Sequence, residues 1–386
     1  MKAVHHKTPL YIIRLFKFMR IVYLYLPGRT ARIPDLQAGA IPTEFFYGAP
    51  ELEARGHEVE YIDVHDVPAV SKLRVAAELL FKRRYLPAKV YFSVLLGVKK
   101  ILPALSGADV VVATAPGIAF SLAIWKMLGM ADTPRAFIAI HCGLFNYPQQ
   151  GIRRWFSRRL LRQMHTQLFG VGELKAMREC FQIPSERIQV NCFGVDECFW
   201  TPEETESQDG YILAVGNDSR RDYELLIQSA YHIDRKIKLL TKRELPSNLP
   251  DNVEVLRGSW HTREVSDEDL RDLYRKAFCV AVPLTDSIQP SGQSVTLQAM
   301  ACGTPVILTR TQGLWDNREL QHEKNILFTE AGKVQEFADT AMMLSRDVEM
   351  QKKLSKAGRE YIMQHGRIGQ FADRLETVCR KVAADE

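Results

Sequence analysis

Both halves of the sequence alternate short apolar runs with helical periods, and that alternation restricts the chain to parallel sheets covered by helices. In the first half, residues 21–26 form a continuous apolar run, and 43–55 show a helical period stopped by Gly56. Residues 57–64 then alternate as a strand, followed by strand 108–114, helix 117–128 and strand 135–140. The second half repeats the scheme: strand 211–215, helix 222–231, strand 238–240, helix 267–276, strand 279–283, helix 293–302 and strand 306–309. Between the halves, residues 201–209 contain four acids, one proline and no apolar residue, which reads as an exposed linker. Two open α/β sheets joined this way face each other across a cleft, and ligands of such sheets sit beyond the strand carboxyl ends.

The length of 386 residues suits two domains of this kind, and a chain so long needs neither disulfide nor metal to hold a core. Its seven cysteines are odd in number and scattered, with no Cys-x-x-Cys, which excludes a disulfide scaffold or structural zinc site and fits a reducing compartment. The most apolar N-terminal stretch, 11–26, is interrupted by Arg14, Lys17 and Arg20, too short for a bilayer span and without a cleavage site. The expectation is a soluble cytoplasmic protein whose first strand begins near Met19, with 1–18 as an N-terminal extension. The formal net charge of +5 is unevenly divided. Residues 1–200 carry 26 Lys and Arg against 16 Asp and Glu, and the remainder carries 25 against 30. A basic half and a mildly acidic half predict domains with different partners.

The most informative segment runs from Gln289 to Leu308. Ser291 and Gly292 precede a helix, so the orphan N–H groups of its first turn and its dipole offer a site for phosphate or a sugar hydroxyl. Gly292 lets a ligand approach the main chain closely. Gly303 suits a helix C-terminus, and Pro305 prevents continuation. Taken alone, this is also what a well-capped helix entering a buried strand looks like.

Other segments stand in a telling order around it. Arg55-Gly56-His57-Glu58-Val59 lies near the start, with Gly39-Ala40 before it; Phe193-Gly194-Val195-Asp196 is followed by Phe199 and Pro202. Then come Ile212-Leu213-Ala214-Val215-Gly216 and Arg221-Asp222-Tyr223-Glu224-Leu225-Leu226-Ile227. Together with the 289–308 segment these resemble the group 1 (family 4) retaining glycosyltransferases of GT-B fold, over nearly the whole chain from Met19. The resemblance implies two Rossmann-like domains facing a central cleft: residues 19–200 on the acceptor side and 210–360 binding a nucleotide-diphosphate sugar. The last segment, 361–386, would pack back on the first domain.

Residue by residue, the resemblance places Arg221 on the donor diphosphate. There a cation stabilises the charge that the leaving nucleotide gains, and no metal or other cofactor is required. Arg220 and Lys242 are further candidates, though each reads as well as a solvated surface charge. Gly216 and Asn217 follow the first strand of the second domain, where the family has glycine and arginine. The family's two signature glutamates correspond to Pro290 and Gln298. Gln298 keeps a carbonyl acceptor for ribose, weaker than a carboxylate. Pro290 cannot replace the other glutamate, so Ser291, Gly292, Gln293 and Ser294 would form the sugar site from neutral groups. A histidine after an apolar strand is more often structural, but His141, after strand 135–140, stands where relatives often contact the donor sugar, and with Arg221 it is the expected catalytic residue. Gly39 and Ala40 correspond to the family's glycine pair near the donor phosphates or acceptor.

Between Lys72 and Lys100 lie eight basic residues (72, 74, 82, 83, 84, 89, 99 and 100) among aromatic and aliphatic ones, against the single acid Glu78. Arg153, Arg154, Arg158, Arg159 and Arg162 alternate with Trp155, Phe156, Leu160 and Leu161. Each stretch reads equally as a packed helix with solvated cations or as a surface for an anionic bilayer. A glycan or lipid-linked acceptor and peripheral membrane contact are therefore expectations. Nucleic acid is not, since no recognised module appears. A nicotinamide enzyme is excluded by the lone glycine at Gly216, and a metal-dependent transferase by the wrong spacing of Asp63 and Asp66. A GT-B epimerase, or a silent GT-B binding or scaffold protein, remains an alternative.

Overall fold

The computed structural model describes residues 18–67, 90–141, 143–146, 150–203, 210–258 and 264–384. The expected extension before residue 18, the basic stretch at 72–89 and most of the linker lie outside these residues. The first domain is a six-stranded sheet in the order β2-β1-β3-β4-β5-β6 and the second a six-stranded sheet in the order β12-β11-β10-β7-β8-β9. Every strand pair in both is parallel.

In the first sheet, β1 (Arg20–Tyr25), β3 (Val110–Ala113) and β4 (Phe137–His141) are buried along nearly their full length. Buried β-branched and aromatic runs of this kind are what a sheet covered on both faces requires. β2 (Glu58–Asp63), β5 (His165–Leu168) and β6 (Ile188–Val190) complete it. Helices α3 (Phe92–Ile101), α4 (Pro116–Met127), α5 (Gly151–Leu161) and α6 (Gly172–Phe181) belong to the same domain. The helical period at 43–55 resolves into a 3-10 turn, Thr43–Phe46, and a short helix α2, Ala49–Ala54. The two are separated by Tyr47 and Gly48, both left-handed, with φ of 54° and 81°. Pro50 accounts for the break: in one continuous helix its ring would clash with the preceding turn, and α2 accommodates it only by starting afresh at Ala49. A second short helix, α1 (Ile33–Gln37), occupies the preceding loop.

In the second sheet, β7 (Tyr211–Val215) and α8 (Asp267–Lys276) fall where the sequence places them. The Ser266 hydroxyl accepts from the Asp269 N–H while the Asp269 carboxylate returns the bond, a capping box that fixes the helix start. Asp222 caps α7 (Tyr223–Ala230) by accepting from the Leu225 N–H at 3.0 Å. β8 (Ile237–Leu240), β9 (Val253–Leu256), β10 (Ala277–Val282), α9 (Gln293–Ala301), β11 (Val306–Arg310) and β12 (Leu327–Glu330) follow, then α10 (Val334–Arg346) and α11 (Val348–Tyr361).

After a π turn at Ile362–Gly366 the chain returns to the first domain as α12, Ile368–Ala384. Its face of Ile368, Phe371, Leu375, Cys379 and Val382 is buried in the same core as Ile21 and Tyr23 of β1. Arg55 pairs with Glu376 and Asp373, both at 2.8 Å, and His57 lies 3.2 Å from Glu376. Burial alone would raise the Glu376 carboxyl, but hydrogen bonds from Arg55, Arg380 and His57 outweigh it and hold it near 2. The two crossings between domains run side by side: the Val195 N–H donates to the Gly366 carbonyl, and Ile368 to that of Val195.

Candidate functional site

The order of the second sheet reverses between β7 and β10, and the loops leaving their carboxyl ends meet there, as the switch point of an open α/β sheet requires. Arg221 pairs with Leu284 across the two loops, and Thr285 N–H donates to the Arg220 carbonyl. This junction opens on a cleft of about 390 Å³. Val215, Gly216, Asn217, Asp218, Arg221 and Leu240 line it, as do the starts of α8 and α9. The first domain supplies the facing wall with Arg29, Pro42, Glu44, Phe45, Tyr47 and Phe193.

Arg221 is the cation at its centre. The residue is only 4% exposed, and Nε and Nη1 are buried without a hydrogen-bond acceptor among the described residues. Asp218 approaches Nε at 3.2 Å. Glycine is required on both sides of the guanidinium: a Cβ on Gly216 would collide with Nε, and one on Gly292 would stand 2.8 Å from Nη1. Gly216 has a φ of 147° and Gly292 of 78°, so backbone conformation and space make the same demand. Gly292 is also the residue from which α9 starts, so Arg221 lies against the positive end of that helix. Two like fields concentrated on one buried spot are costly unless an anion joins them.

The other expected residues divide by their surroundings. Asn217 and Ser294 line the cleft. Asn217 also accepts from the Lys242 N–H at 2.6 Å, which joins the ends of β7 and β8. The Lys242 side chain is exposed and, like half-buried Arg220, is not among the lining residues. Gln293 points instead to the first domain, donating to the Phe169 carbonyl at 3.3 Å. Ser291 is buried with its hydroxyl unpartnered among the described residues, behind the lining. Pro290 fills the place of the family glutamate by packing on Gly170, where an added Cβ would lie 3.1 Å from it. Gln298 lines the cleft one turn deeper, its Oε1 accepting from the Tyr274 hydroxyl at 3.2 Å.

Two expectations are corrected. Gly39 and Ala40 lie exposed beyond α1 and are not among the lining residues, with α1 and its preceding turn between them and β1. Its cleft wall comes from 42–47 instead. His141 is wholly buried, its ring 5.6 Å from that of Phe120 and outside the lining. Burial lowers its pKa to about 3, leaving a neutral imidazole within the apolar layer.

The cleft also contains residues the sequence did not single out. The Arg29 guanidinium stacks 4.1 Å from the Phe45 ring centre and 5.3 Å from that of Tyr47. Arg32 joins Asp267 across the domains at 2.9 Å. Glu44 is 3% exposed and accepts from Trp200 Nε1 at 2.6 Å, the Asp196 N–H at 2.9 Å and Gln298 Nε2 at 3.2 Å. Burial pushes its carboxyl up to about 8, against these three donors. The one available signal was a carboxylate set in a mostly apolar stretch at 41–47.

Known proteins agree with this geometry. Residues 209–347 match the family model of the group 1 glycosyl transferases. Sucrose-phosphate synthase from Thermosynechococcus elongatus superposes over 95% of this chain and 100% of its own, with TM-score 0.70 and 18% identity. Anabaena HepE, solved in complex with UDP and glucose, covers 94% of this chain and 100% of its own at TM-score 0.61 and 14% identity. N-acetyl-alpha-D-glucosaminyl L-malate synthase of Bacillus anthracis is 32% identical over 92 residues, 24% of this chain. That match also spans only 24% of the relative's length. The chain has the GT-B fold of these structures, and residues 209–347 in its second half match the group 1 glycosyl transferases.

Proposed function

We propose that the protein transfers a hexose-type sugar, with retention, from a nucleotide-diphosphate donor to a glycan or lipid-linked acceptor, without a divalent metal. The observation that carries this reading is the buried, acceptor-poor Arg221 guanidinium between two glycines at the start of α9. A diphosphate there receives charge-assisted hydrogen bonds where its charge grows. As the bond from the anomeric carbon to the phosphate oxygen breaks, its electron pair leaves with the nucleoside diphosphate. The acceptor hydroxyl forms the new bond on the same face, and its proton passes to the departing phosphate oxygen. No enzymic nucleophile is needed. HepE, crystallised with UDP-glucose, supports the donor class.

The test is a thermal-shift panel of UDP and GDP with their sugars. A ligand bound only by the folded state stabilises it by about 2.7 kcal/mol at a hundred times its Kd. If no nucleotide raises the melting temperature, the reading fails. Pro290 in place of the family glutamate favours a second reading, nucleotide-sugar binding without turnover, and stabilisation with no product from any acceptor would decide for it.

The acceptor side carries the membrane part of the proposal, which places the enzyme at the cytoplasmic face of the plasma membrane in cell-surface polysaccharide or glycoconjugate synthesis. No helix among the described residues is long and apolar enough to cross a membrane. On α5, Leu160 and Leu161 are buried while Ile152 and Trp155 are 54% and 59% exposed beside Arg154 and Arg159. Exposed apolar groups flanked by arginine suit an anionic interface. Neutralising Arg153, Arg154, Arg158 and Arg159 will release the protein from anionic vesicles, at roughly 1 kcal/mol per charge. Unchanged partitioning removes the membrane from the proposal.

A further inference from the structure

We propose that Glu44, supplied by the first domain, is the carboxylate that receives a ribose hydroxyl of the bound nucleotide, with Gln298 of the second domain holding the other. The inference rests on the nucleotide-binding reading above. A ribose presents two neighbouring O–H donors, and the Glu44 carboxyl, raised to about 8 by burial, is above that pH an ionised carboxylate, the strongest acceptor a protein offers them. In the second domain the lining carboxylates Asp218 and Asp267 already pair with Arg221 and Arg32, and the Gln298 carboxamide oxygen accepts from the Tyr274 hydroxyl. The carboxyl in contact with Gln298 comes from across the cleft. Glu44 and Gln298 both line it and touch each other at 3.2 Å, although 254 residues separate them.

The hydrogen-bond count leaves room for a ligand. A carboxylate has about four lone-pair directions. Trp200 and Gln298 fill two on Oε1, and the Asp196 N–H fills one on Oε2, so one on Oε2 remains among the described residues. The Gln298 contact is the longest of the three and the one a hydroxyl readily displaces. No cation stands within 4 Å of Glu44 among the described residues to offset its burial, and Asp196 adds repulsion. An uncompensated buried carboxyl in a cleft is costly to the fold and useful to a ligand. Because the two partners belong to different domains, a diol held between them also ties the domains together.

The experiment is calorimetric titration of the full-length protein at about pH 9, where Glu44 is ionised, with UDP and GDP and with their 2′-deoxy and 3′-deoxy counterparts, one of which lacks the hydroxyl that Glu44 receives. Wild type is expected to prefer the ribose form by about 10- to 100-fold, as for a lost hydrogen bond to a charged group. In Glu44→Gln, which keeps size and shape, the preference falls to within about threefold. Glu44→Asp withdraws the carboxylate by one methylene but keeps its charge, and serves as the second arm if the glutamine variant folds poorly. Adding Gln298→Glu to Glu44→Gln restores the preference from the other side of the cleft. A wild-type preference retained in both Glu44 variants, or affinity lost equally for both ligand forms, shows a strut and overturns the proposal. Equal wild-type binding of ribose and deoxyribose forms overturns it while leaving nucleotide binding intact. Binding of neither overturns both readings.

Discussion

Arg221→Ala will weaken nucleoside-diphosphate binding by about 1.5–3 kcal/mol, roughly 10- to 150-fold, with little loss of stability in the free protein. The two halves of this expectation have one cause. Among the described residues Nε and Nη1 have no hydrogen-bond acceptor, so the folded protein bears the desolvation of the guanidinium and gains little from it until an anion arrives. Removing it leaves Asp218 behind, but that carboxylate is 40% exposed and water can solvate it. A group that mainly stabilised the fold would behave in the opposite way. Arg221→Lys restores a charge without the planar fork and will recover only part of the affinity. Because the site is buried, the loss will persist at salt concentrations that screen surface charges. Calorimetry with UDP or GDP, paired with melting of the free variant, checks both parts. Unchanged affinity removes Arg221 from the donor site, and a several-degree loss without ligand makes it structural.

The second large effect is on stability. Phe371→Ala is expected to destabilise the first domain by about 3–5 kcal/mol, the usual loss for a large aromatic in a packed core. Phe371 is fully buried on α12, with the rings of Phe169 and Phe193 at 6.3 and 6.4 Å. Its carbonyl accepts from Asn191 Nδ2 at 3.2 Å. Gly48 is set so close that a Cβ there would lie 3.3 Å from the ring. The cavity is therefore bounded by the strand ends and the 42–48 turn, which cannot all collapse into it. Phe193 lines the cleft, so the same variant will also loosen the wall opposite Arg221. Urea unfolding followed by probes in each domain is the measurement, since a two-domain chain need not unfold in one step. A change below about 1 kcal/mol would mean that α12 is not integral to the first domain.

What was legible in the sequence was short in range. β7 and α8 could be read from period and capping because their signals lie within one element: a continuous apolar run, and Ser266 three residues before Asp269. The start of α9 at Gly292 was legible for the same reason, whereas Arg221 beside it came only from the family resemblance. The turn at Tyr47–Gly48 was harder. The amphipathic period runs straight through it, and the counter-signals are one glycine and Pro50. Gly39-Ala40 misled because motif spacing says nothing of how an inserted helix displaces a loop. His141 misled in a related way: a strand end fixes where a residue emerges, while the layer facing it decides whether the side chain meets water.

By itself the sequence determined the alternation of strands and helices, the division into two sheets, and the polar turn at the switch point of the second. Each of these follows from periods and caps that a segment satisfies with its own neighbours. Only the tertiary structure decided which groups confront one another across the cleft. Glu44 meets Asp196 from 152 residues away and Gln298 from 254, and Arg55 meets Glu376 from 321. Such meetings depend on how two sheets are docked and how the chain crosses between them, and no local pattern encodes that placement. The buried carboxyl, the cation between two glycines and the returning helix acquire their energies only once water has been excluded around them.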